Sequence, residues 1–161
     1  MMARATLRFL VVLGTVALPA VRAADRAQED DIFEAVFRQQ VTELLDAEAL
    51  GRGVVLCLAV DPGDAPQSLG RDLRDRLRVV SPSIRGAAEC EVFAGRAREI
   101  ASGRPAILVT AGPIDSVKAD EVWVTVDQRW SRARSYRREY RVVREPARWI
   151  SLGPILKFSP A

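Results

Sequence analysis

Seven consecutive apolar residues, Val54 to Val60, lie between Gly53 and the turn sequence Asp61-Pro62-Gly63. This run is far too short to cross a membrane as a helix and too uniformly apolar for a surface element. It reads as a strand buried on both faces, or nearly so, and the remainder of the chain is read around it. Upstream, Ile32, Phe33, Val36, Phe37, Val41, Leu44 and Leu45 recur at three- and four-residue spacing. With Asp30 and Asp31 as caps and Gly51 just past the end, the spacing predicts an amphipathic helix over about 30–49.

Downstream, Asp64-Ala65-Pro66 opens a second, shorter helix to about Leu77, with Leu69, Leu73 and Leu77 on one stripe. Strand signals follow. Residues 89–93 read as a short strand, 95–104 as an exposed polar connection, and 106–111 as a strand that Gly112-Pro113 interrupts. Val122, Val124 and Val126 alternate with Trp123, Thr125 and Asp127, and Tyr136 to Val143 alternate in the same way. Glu145-Pro146-Ala147 turns the chain into a last strand holding Trp149 and Ile150. The order is helix, strand, helix, then sequential strands, which predicts one α+β domain with a largely antiparallel, curved sheet and the first helix on one face. Cystatin-like and nuclear-transport-factor-2-like domains have this kind of architecture.

Residues 1–23 have the three parts of a secretory signal peptide. Arg4 and Arg8 are positive, Phe9 to Val21 is mostly apolar, and Val21-Arg22-Ala23 places small residues around a cleavage site. The expected mature chain begins at Ala24 and comprises residues 24–161, in the periplasm or outside the cell. An uncleaved N-terminal anchor is the alternative. The 161-residue chain carries a formal charge of +3, and its sequence pI is 9.3. Three of its 24 basic residues lie in the leader, which leaves 21 against 21 acidic ones. The charge is nonetheless polarised. Residues 24–128 sum to −7, and residues 129–148 hold eight arginines against Glu139 and Glu145.

The segments Asp31-Ile-Phe-Glu-Ala-Val-Phe-Arg38, Val54–Val60, Cys90, Tyr140-Arg-Val-Val-Arg144 and Arg148-Trp-Ile150 resemble a group of uncharacterised exported bacterial proteins with a single helix-plus-antiparallel-sheet domain. The resemblance covers most of the mature chain. It implies one exported domain and carries over neither an activity nor a catalytic residue.

The sequence contains no histidine, which excludes Ser-His-Asp and Cys-His catalysis and histidine-bound zinc. It also lacks a glycine-rich phosphate loop, a G-x-S-x-G elbow and a calcium loop. No catalytic residue, metal ligand or cofactor is assigned. Cys57 and Cys90 are the only cysteines. In an oxidising compartment a structural disulfide between them is expected, with two buried free thiols as the alternative. The arginine-rich strand, with Arg134, Arg137, Arg138, Arg141 and Arg144 beside Trp130, Tyr136 and Tyr140, is a candidate anion-binding surface. The simpler expectation pairs these arginines with the acids upstream. Three readings result. The first is a non-catalytic exported domain that binds a small apolar ligand or a protein partner. The second is a polyanion- or envelope-binding module using residues 129–148, although a neutral mature chain argues against nucleic acid. The third, weakened by the missing histidines, is an enzyme working with Asp, Tyr and Arg.

Overall fold

The computed structural model describes residues 18–46, 53–61 and 65–155, with side chains in the first helix described over 25–44. In chain order the elements are α1 (Leu18–Asp46), β1 (Val55–Val60), β2 (Gln67–Ser68), α2 (Arg71–Arg78) and β3 (Ile84–Gly86). A 3-10 turn (Ala87–Glu89) leads into β4 (Cys90–Phe93), β5 (Arg96–Glu99), β6 (Ala106–Lys118), β7 (Glu121–Arg129), β8 (Ser135–Glu145) and β9 (Arg148–Pro154). The fold is α+β. An open sheet runs β2-β1-β6-β7-β8-β9, with β3 also joined to β1, and β4 and β5 form a separate hairpin.

From β6 to β9 the sheet is an antiparallel meander. Around β1 it is mixed, because β1 runs parallel to both β3 and β6. Alternation along β1 explains why the whole run is apolar. Leu56 and Leu58 face the helices, while Val55 and Cys57 face the hairpin. The helix face packs Ile32, Phe33, Val36, Phe37, Val41 and Leu44 of α1 and Leu73 and Leu77 of α2 against Ile107, Val124, Val126, Tyr140 and Val142. The hairpin face buries a much smaller set, Val55, Cys57, Ala97 and Ala106.

Several expectations change at the element ends. Helix α1 begins at Leu18 rather than near Asp30, so Asp30 and Asp31 lie inside it and do not cap it. Residues 22–29 are mostly Ala, Arg, Glu and Gln, good helix formers that continue the helix without an apolar stripe in the sequence. Residues 25–29 are accordingly exposed. The expected helix end at 47–49, Gly51, and residues 1–17 of the expected export signal lie outside the described residues. The second helix is shorter than expected, because Gln67 and Ser68 first pair with β1 and Gly70 precedes the first turn.

The expected exposed connection at 95–104 contains β5, turned back on β4 through Ala94 and Gly95. Strand β6 does not stop at Gly112-Pro113 but continues past it, with a bulge between Ala111 and Ile114. Gly112 has φ +122° and lies so close to the Asp61 carbonyl that a Cβ there would overlap it. Only glycine satisfies both conditions.

Candidate functional site

Cys57 and Cys90 form a disulfide with Cα atoms 6.2 Å apart, tying the middle of β1 to the first residue of β4. Beside it Glu99, 5% exposed, accepts hydrogen bonds from Arg85 Nε, Ser102 Oγ and Arg104 Nε. The Ser102 hydroxyl, then the Arg85 and Arg104 guanidinium groups, hold its carboxyl down at about 2. These contacts fix β5 to β3 and to the loop before β6. They organise the hairpin and engage the Glu99 carboxylate fully in structural contacts.

The structure divides the five candidate arginines. Arg137 and Arg141 are on the sheet face away from α1. Arg137 holds Asp127, its cross-strand neighbour, through two bonds of 2.8 Å. Arg141 holds Glu121 at 2.8 and 3.1 Å. Arg138, one residue out of phase, reaches Glu43 of α1 at 3.7 Å. Arg144 sits over the Trp149 ring at 6.0 Å. Arg134, in the β7–β8 turn, stacks on Trp130 at 5.1 Å. Strand alternation therefore spreads these groups over two faces, and three of the five already hold carboxylates.

A polar group in the helix-side core lies between α1 and strands β7 and β8. Gln128 Nε2 donates to Gln40 Oε1, and the Tyr140 hydroxyl donates to Glu43 Oε2 at 2.9 Å. Burial first, then the Glu43 charge, pushes the Tyr140 phenol up to about 12. The phenol is fully buried and stays protonated, so this group serves to orient α1 on the sheet. Among the described residues no cluster of His, Cys, Asp and Glu is arranged to hold a metal.

Among the described residues, open grooves lie on both sides of the sheet. One, of about 650 Å³, runs between α1 and the edge strand β9, with Asp31, Glu34, Arg38, Arg148 and Trp149 among its walls. Its charges are internally paired: Arg38 with Glu34, Arg148 with Glu145, and Arg76 with Asp31 and Glu34. Another, of about 510 Å³, lies where the β4–β5 hairpin meets the β7–β8 turn. Val54, Phe93, Ala97, Pro105, Ala106 and Trp130 supply its apolar lining, and Arg96 and Arg98 are its charged residues. Backbone bonds from Ala97 to the Trp130 carbonyl (3.0 Å) and from Arg132 to the Gly95 carbonyl (2.9 Å) hold the two walls together. Phe93 is 55% exposed, with the Arg98 guanidinium 3.7 Å above its ring.

Trp130 is identifiable in the sequence as a stacking face, but Phe93 and Arg96 are not. The only sequence sign of them is the short Val92-Phe93-Ala94-Gly95 turn that opens a hairpin. A comparison of the chain with known protein families, curated proteins and solved structures returns no match.

Proposed function

We propose that the protein is an exported, non-catalytic binding domain that takes a small ligand with an apolar body in the groove between the β4–β5 hairpin and the β7–β8 turn. One observation carries the reading: an apolar lining of ligand size, with the Phe93 ring open to solvent. Small-molecule sites are commonly concave and mostly apolar, with volumes of about 300–1,000 Å³ and a few placed polar groups. The helix-facing side of the sheet is the less suitable place, because α1 and α2 fill it with side chains. Export is supported by the composition of residues 1–23 and by a disulfide, which persists in oxidising compartments. Among the described residues no helix is long and apolar enough to cross a membrane.

The test is titration of the oxidised protein with the neutral dye Nile red. Saturable emission is expected, weakened by about tenfold in Phe93→Ala, a change that removes an exposed ring and spares the core. Equal binding by that variant would move the site away from the hairpin. Cell fractionation with N-terminal sequencing checks the address, and the expected result is a periplasmic or secreted chain starting at Ala24.

A further inference from the structure

We infer that the hairpin groove selects an amphipathic anion, with a carboxylate or phosphate head held by Arg96 and Arg134 and an apolar body laid on Phe93 and Trp130. This rests on the groove being the binding site and adds the class of ligand. Among the described residues Arg96, Arg129, Arg132 and Arg134 hold no carboxylate, whereas the arginines along β8 at 137, 138 and 141 each hold one.

The fold brings these cations to one end of the molecule. Arg96 pairs across a β-bridge with Ser131, and the Arg132 amide bonds to Gly95 beside it. No acid lines the groove, in contrast to the α1–β9 groove with its Asp31 and Glu34. Positive charges gathered on one turn and its bridged neighbour without a bound carboxylate repel one another, and an anion placed among them relieves that repulsion. Arg98 plays a different part. Its Nε and Nη2 bond Glu91 at 2.8 and 2.6 Å, which neutralises it and fixes it as a wall over Phe93. Arg134 lies just outside the groove lining, against its Trp130 wall at 5.1 Å and the Tyr136 ring at 6.0 Å, and these ring contacts leave its N–H donors available for a carboxylate or phosphate oxygen at the groove's rim. A volume of about 510 Å³ takes a small molecule or the head of a single lipid.

The experiment compares 1-pyrenebutyrate with its neutral counterpart 1-pyrenebutanol by fluorescence titration of the oxidised protein. The acid should bind more tightly by about tenfold, the scale of one charge-assisted contact, and the Arg96→Gln/Arg134→Gln variant should remove most of that preference. Both side chains are exposed and carry no carboxylate, so the variant's melting temperature should match the parent's, and Phe93→Ala should weaken both ligands together. Equal binding of acid and alcohol by the parent overturns the anion inference while leaving the groove as the site. Binding of neither ligand overturns the groove itself. A preference that survives in the arginine variant places the anion elsewhere and overturns the assignment of Arg96 and Arg134. Phosphatidylglycerol vesicles form the second arm: if they sediment the protein in an Arg96- and Arg134-dependent way while pyrenebutyrate also competes, the head belongs to a lipid. Sedimentation with no pyrenebutyrate binding overturns the small-ligand reading.

Discussion

On the helix side of the sheet, 21 side chains among the described residues form one continuous apolar core, including Phe37, Leu56, Ile107 and Tyr140. On the hairpin side the buried apolar cluster among the described residues is just Val55, Cys57, Ala97 and Ala106, two of them alanines. The first face is held by burial, at about 1.5–3 kcal/mol for each large side chain removed from water. The second has too little apolar area for that and is held by a disulfide, the Glu99 ion cluster and backbone bonds to the β7–β8 turn. A face held by point ties can leave aromatic rings in solvent. The groove lies on the side where Phe93 is exposed.

The comparison can be broken most directly in the core. Phe37→Ala should lower the unfolding free energy by about 3–5 kcal/mol in denaturant titration. A loss of less than about 1 kcal/mol would show that α1 is not the element holding the sheet. Replacing both cysteines by alanine opens a loop with a sequence separation of 33. It should cost about 3–4 kcal/mol by the chain-entropy estimate. Hydrogen exchange sharpens this expectation: amides of β4 and β5 should lose protection first while those of α1 and β7 keep theirs. Uniform loss across both faces would show that they unfold as one unit.

Tyr140→Phe removes one buried hydrogen bond and should cost about 1 kcal/mol. Because the folded phenol is raised from 10.0 to about 12, its contribution is present below pH 10.0 and is lost as pH rises through about 12. The variant should lack that alkaline limb. Glu99→Gln gives the narrowest effect. With its folded carboxyl lowered from 4.5 to about 2, Glu99 contributes stability above pH 4.5 that is lost as pH falls through about 2. Denaturant midpoints across that window should flatten in the variant, and an unchanged acid limb would remove the Glu99 cluster from the ties that hold the hairpin.

The two faces were also unequally legible from the residues. Periodicities of 3.6 and 2 at Ile32–Leu44 and Val122–Val126 mark the helix face, because burial there follows hydrophobicity. In Arg96-Ala97-Arg98-Glu99 the inward residues are an alanine and a glutamate, so the strand looks like a polar loop until three donors are found around Glu99. Cys57 and Cys90 were readable because they had no other partners to choose. The groove was not, since Phe93 and Trp130 meet only after the hairpin docks on the β7–β8 turn. The early start of α1 was not legible because residues 22–29 have helical propensity without an apolar periodicity to mark them.

Gly112 has a consequence for how this chain can vary. Where β6 bends past the end of β1, the Asp61 carbonyl occupies the space of any side chain, and the backbone has a φ that other residues rarely adopt. A saturation library selected for folded protein should therefore leave position 112 with glycine alone, while exposed positions such as Arg129 and Arg132 accept many residues. Divergent sequences that share this architecture can then be aligned on that one glycine, even where their apolar strands have exchanged every side chain.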